Sequence, residues 1–91
     1  MHHIGKPDRI PLAELVVREI GGNGRGAAAK TARVLGISAS EVSKWKAPKE
    51  KWGFGGDVPT RLKERILDLA KRENLDITPE DLVRGYRKVP A

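Results

Sequence analysis

Apolar residues recur at helical spacing in short runs broken by glycine, proline and polar clusters. Leu12, Leu15, Val16 and Ile20 mark one face of a first helix over about residues 11–20. Pro11 suits its first turn, where a missing N–H is no loss, and Gly21-Gly22-Asn23-Gly24 closes it. Ala27, Ala28, Ala29 and Ala32 predict a second helix over residues 25–35, stopped by Gly36. Ser38 is a good N-cap, and Glu41 three residues on completes a capping box for a third helix over residues 39–46. Pro48 bars its continuation, and residues 47–58 read as a long loop. Leu62, Ile66, Leu69 and Ala70 form the apolar face of a fourth helix from Pro59 to about Asn74, with Lys63, Glu64, Lys71 and Arg72 opposite. Thr78-Pro79-Glu80-Asp81 opens a fifth over residues 79–86. No stretch alternates as a strand does. The expected fold class is all-α, with five short helices. Residues 1–9, holding His2, His3, Gly5 and Pro7, read as a flexible N-terminal arm, and residues 10–91 as one domain.

Charge sharpens this picture. The net charge of the 91 residues is +6. Between Gly22 and Gly56 seven basic residues (Arg25, Lys30, Arg33, Lys44, Lys46, Lys49, Lys51) face two acidic ones, Glu41 and Glu50, a local charge of +5. Such a local basic surface is the electrostatic footprint of a polyanion binder.

Other chemistries find little support. There is no cysteine, which excludes disulfides and thiolate zinc sites. His2 and His3 lack further metal ligands, and Ser38, Ser40 and Ser43 lack a base to activate them. The glycine-rich stretch 21–26 follows no strand and precedes no Gly-Lys-Ser/Thr, so it is not a phosphate-binding loop of the nucleotidase kind. Neither enzyme activity, cofactor nor metal is expected. No apolar signal core or membrane span is evident, and the expected location is the cytoplasm, at the nucleoid. The alanine, glycine and arginine usage suggests a bacterial source.

The stretch from Ala28 to Ala47 places two short helices around a three-residue turn. Ala32 is small where the helices approach, Gly36 supplies a left-handed turn, and Leu35, Ile37, Val42 and Trp45 form the apolar plug. A small residue, a glycine four later and two spaced apolar residues, as in Ala32, Gly36, Val42 and Trp45, resemble the helix-turn-helix of Cro-type and phage-repressor-type regulators, the lambda-repressor-like fold. Val58-Pro59 and Thr78 to Leu82 resemble the ending of small phage- and mobile-element regulators of this kind. The resemblance spans about residues 10–86.

It implies double-stranded DNA binding, with the third helix in the major groove. The outward residues Ser38, Ala39, Ser40, Ser43 and Lys44 are then the candidate base readers, with Ser38 chiefly a cap. Asn23, Gly24 and Arg25, ahead of the second helix, and Lys30, Lys46, Lys49 and Lys51 are the candidate phosphate contacts. Arg61 and Lys63 rank below these. Trp45 reads as core. Trp52 and Phe54 admit core packing, dimer contact or stacking on nucleic acid, with packing favoured. The expected function is a sequence-specific transcriptional regulator, a repressor and homodimer on a palindromic site. The alternatives are an antitoxin-like autorepressor of a toxin–antitoxin pair, or a protein–protein adaptor that uses the same surface.

Overall fold

The computed structural model describes residues 9–51 and 53–88. Among these, five α-helices follow one another: α1 (Leu12–Gly21), α2 (Ala27–Leu35), α3 (Ala39–Lys46), α4 (Thr60–Glu73) and α5 (Pro79–Arg84). A single 3-10 turn (Lys49–Lys51) lies between α3 and α4. The expected all-α class needs one correction: β1 (Arg9–Pro11) and β2 (Tyr86–Lys88) form a two-stranded antiparallel sheet, with Arg9 opposite Lys88, Ile10 opposite Arg87 and Pro11 opposite Tyr86. Three-residue strands are too short to show alternation, and their pairing is a tertiary event. Arg9, read as the end of a flexible arm, is a strand residue, and its guanidinium stacks over the Tyr86 ring at 4.6 Å. The rest of that arm, with His2 and His3, lies outside the described residues, as does Trp52.

The sheet ties the two ends of the fold together and helps to start α1. Pro11 is the N-cap rather than the first helical residue, and no side chain caps this end. The first orphan N–H groups find backbone acceptors instead: Leu12 N–H donates to Gly85 O (3.0 Å) and Ala13 N–H to Gly56 O (2.8 Å). At the other end the helix runs through Gly21, which was expected to terminate it, and stops at Gly22. Gly21 lies so close to α2 that an added Cβ would fall 2.1 Å from Ala27 O.

The core is assembled from α1 (Leu12, Leu15, Val16, Ile20), α2 (Ala32, Leu35), α3 (Val42, Trp45), α4 (Leu62, Ile66, Leu69) and, beyond them, Val58, Ile77 and Leu82. Phe54 is half-buried and packs against it. Of the three readings of Phe54, packing on the chain's own core is therefore the one observed.

Two starts differ from the sequence pattern. Arg25 lies in the turn before α2 rather than in the helix, which begins at Ala27 behind Gly26 as N-cap. Pro59 is the N-cap of α4, and Asp57 Oδ1 accepts from Val58 N–H ahead of it (2.7 Å). At α5 the expected Thr78 cap is a full capping box: Thr78 Oγ1 accepts from Asp81 N–H and Asp81 Oδ2 from Thr78 N–H. The helix ends at Arg84, two residues short of the expected end, because Gly85 turns the chain into β2.

Arg87 of β2 closes back on this box. It donates to Asp81 through Nε (3.3 Å) and Nη2 (2.5 Å), and to Asp76 Oδ2 (2.9 Å) and the Asp76 carbonyl (2.8 Å). Burial pushes the Asp81 carboxyl up. The Arg87 hydrogen bond and charge, with the hydrogen bonds to Thr78, outweigh burial and hold it below the ordinary carboxylate value. The same bond to Asp81 holds the Arg87 guanidinium above its ordinary value.

Candidate nucleic-acid interface

Between α2 and α3 the backbone makes a complete glycine-terminated helix end. Gly36 sits at φ 73°, ψ 32°, its N–H donates to Arg33 O (3.3 Å), and Ile37 N–H reaches back to Ala32 O (2.9 Å). This pair of bonds is the Schellman arrangement, which only a residue at home in the left-handed region forms without strain. Ile37 packs half-buried against the core. Ser38 then caps α3 by accepting from Glu41 N–H at 3.1 Å. The reciprocal half of the expected capping box is missing, because the Glu41 carboxylate pairs with Arg61 of α4 instead.

α3 divides into two faces. Val42 (2% exposed) and Trp45 (0%) anchor it in the core. Ala39, Ser40, Ser43, Lys44 and Lys46 are exposed, as are Ser38 and Gly36 in the turn. Among the described residues, the buried Trp45 Nε1–H has no hydrogen-bond partner.

The loop after α3 serves its C-terminus. Ala47 and Phe54 N–H donate to Lys44 O, Gly55 N–H to Ala47 O (2.8 Å) and Gly56 N–H to Trp45 O (2.7 Å). Carbonyls that a short helix leaves unpaired are thus taken up by its own following loop. Nothing in the sequence pattern announced this role for residues 53–56.

Six of the seven expected phosphate contacts lie on α3 or on the turns that flank α2 and α3. Lys46 shares an open polar cleft with Gly22, Asn23, Gly24 and Ala27, at the start of α2, and with Glu14 and Arg18 of α1. Arg25, Lys49 and Lys51 are exposed on the flanking turns. The start of α2, whose Ala27 lines this cleft, has no side-chain cap, and Ala27 N–H donates to Gly24 O (3.3 Å). Lys30 does not join them. It lines a separate groove with Glu19, Ile20, Val34, Leu69, Glu73 and Leu75.

Ion pairing divides the basic residues. Arg18, Arg61, Lys63, Arg84 and Arg87 each meet a carboxylate, with Lys63 on Asp57 at 3.3 Å. Among the described residues, no ion pair involves Arg25, Lys30, Arg33, Lys44, Lys46, Lys49 or Lys51. Lys71, Arg72 and Lys88, elsewhere in the fold, also lie outside any ion pair among the described residues. Arg61 and Lys63, ranked low as outside contacts, have internal partners in Glu41 and Asp57.

Two side chains of α4, Arg65, which the sequence did not single out, and Arg61, which it ranked low, shape this region. Arg65 Nη1 donates to Leu35 O at the end of α2 (2.7 Å), and Arg61, one turn earlier on α4, takes Glu41. Long polar residues on the exposed face of an amphipathic helix carry no signal of which neighbour they reach.

No helix among the described residues is long and apolar enough to cross a membrane. Comparison of the chain with protein-family models, curated proteins and solved structures returns no match.

Proposed function

We propose that α2, the turn at Gly36 and α3 form a helix-turn-helix that binds double-stranded DNA, as in the lambda-repressor-like regulators the sequence resembles. The observation that carries this reading is the combination on α3: a helix anchored by Val42 and Trp45, an outward face of small polar residues, and surrounding cations that have no internal counter-charge. A surface of unpaired lysines and arginines supplies the counterion-release term that dominates binding to DNA. Small residues such as Ala39, Ser40 and Ser43 let a helix seat deeply in the major groove. Lys44 reaches guanine O6 and N7 from that position, serine hydroxyls serve any base, and Ala39 suits a thymine methyl.

Asn23, Gly24, Arg25 and Lys46, around the uncapped start of α2, are the phosphate contacts on one flank, and Lys49 and Lys51 those on the other. Lys30 belongs to this set only weakly, given its place in another groove. The regulator acts as a repressor. Two copies on a palindromic site would place their α3 helices about one DNA turn apart, roughly 34 Å.

Selection of duplexes from a random library tests the reading, followed by anisotropy titration of the enriched sequence. Lys44→Ala is expected to relax base preference at one position, with about 1–3 kcal/mol lost there. Arg25→Ala is expected to weaken all duplexes alike and to lower the slope of log K against log salt by about one. No enrichment, or affinity untouched by both substitutions, rejects DNA binding and leaves a protein-docking surface as the reading of α3.

A further inference from the structure

We propose that α4 positions the reading helix through a two-point arginine brace across the Gly36 turn, an inference that rests on the DNA-binding reading of α3. Arg61 and Arg65 are four residues apart on α4 and so lie on one face, one above the other. Arg65 holds the end of α2 through Leu35 O, and Arg61 holds the first turn of α3 through Glu41. The two guanidinium groups therefore grip the helices on either side of the turn that joins them.

α3 needs such a hold. With eight residues it is too short to be stable by itself, so its orientation comes from its contacts. Its buried side chains, Val42 and Trp45, lie on one face and fix that face against the core. A third point of attachment at Glu41 resists rocking of the helix about those anchors. Leu35 O lies beyond the two carbonyls used by the Schellman bonds, and Arg65 supplies its donor from outside the helix.

The Arg61 bond also has an electrostatic consequence. Glu41 is the only acidic residue of α3, and helical spacing sets it beside Lys44, at the edge of the outward face next to the buried Trp45. Paired with Arg61, its carboxylate is neutralised and drawn toward α4. Released, it would set a negative charge beside the phosphates that the neighbouring lysines attract. Arg61 is 62% exposed, and ion pairs of that kind add little to stability. The brace thus acts on the placement and charge of the reading face rather than on the folding equilibrium.

Two measurements on the full chain test it. Amide exchange in the free protein reads the brace without DNA: Arg61→Met and Arg65→Met should speed exchange across residues 36–46 and leave residues 12–21 unchanged. On a duplex selected as above, Arg61→Met should weaken binding by about tenfold with the salt slope unchanged, and adding Glu41→Gln to that variant should recover at least about threefold. Unchanged exchange in both single variants overturns the brace. So does an affinity loss that is the same with Glu41 or with Glu41→Gln and that lowers the salt slope by about one, since Arg61 would then be a phosphate contact. If the unaltered protein binds no duplex, the DNA-binding reading falls, and exchange alone decides whether α4 braces α3.

Discussion

Replacing Gly21 with alanine should destabilise the protein, although helix propensity predicts the opposite. Gly21 is the last residue of α1, and alanine in a helix is ordinarily favoured over glycine by about 0.5–1 kcal/mol. The contact with α2 reverses the sign. A Cβ at this position would stand 2.1 Å from Ala27 O and 2.8 Å from both Ala27 C and Thr31 Oγ1. The first two are backbone atoms, so relief requires α1 and α2 to separate. Overpacking of this kind costs about 1–3 kcal/mol. The bond that the buried Thr31 hydroxyl donates to Ala27 O (2.8 Å) lies within α2 and survives that separation. Set against the propensity gain, the net expectation is a loss of about 1–2 kcal/mol, or roughly 5–10 °C in Tm for a domain of this size.

Gly36→Ala provides the contrast. Beyond its chain neighbours, no described residue places an atom within 4 Å of its added Cβ, so the left-handed backbone at φ 73° is what opposes it. That strain of about 1–2 kcal/mol is partly offset by about 0.4–1 kcal/mol from the stiffer unfolded chain, leaving a loss near 1 kcal/mol. Urea unfolding followed by circular dichroism measures both, with an unchanged m-value required for the comparison. Thr31→Ala should not rescue Gly21→Ala, because the tightest clash is with the Ala27 carbonyl. A neutral or stabilising Gly21→Ala would refute the close approach of α1 and α2.

Further outcomes follow from the caps and the Arg87 cluster. Asp81 ionises at lower pH in the folded chain than its ordinary value of 3.8, so the unfolded chain takes up the proton first. The stability this contributes is present above about pH 4 and is lost as pH falls through the folded value. Arg87→Met should remove about 1–3 kcal/mol at neutral pH by leaving the buried Asp81 carboxylate short of partners, and should flatten acid unfolding monitored between pH 5 and 2. Ser38→Ala should lower stability by about 1 kcal/mol through loss of the α3 cap, read as a drop in Tm. Ser40→Ala and Ser43→Ala, on the exposed face, should stay within about 0.5 kcal/mol, so that any effect on duplex binding reports contact rather than folding.

The elements most legible from sequence were those governed by local chemistry. The boundaries of α3 follow from Ser38 and Pro48, and the turn before it from the one residue type at ease with positive φ. The candidate site was legible for a related reason: Val42 and Trp45 are the only large apolar residues of α3, and once they are buried, Ser40, Ser43 and Lys44 must face outward. Gly21 shows the limit of this reasoning. Glycine is both a helix stop and the residue of close approach, and composition alone cannot separate these roles. Glu41 shows it again, since its position matches a capping box while a competing cation decided its partner.

The Gly36 turn, its flanking helices, the capped α3 and the segment charge of +5 were thus determined by residues within a few positions of one another, where backbone preference and helical periodicity act. The pairing of β1 with β2, the α4 arginines on either side of the turn, the exclusion of Lys30 from the group around α3 and the packing of Phe54 were decided only by the tertiary structure. Each depends on which distant residue comes within a few ångströms of a flexible or very short element. Hydrogen bonds and ion pairs have that range, and a one-dimensional pattern does not encode it.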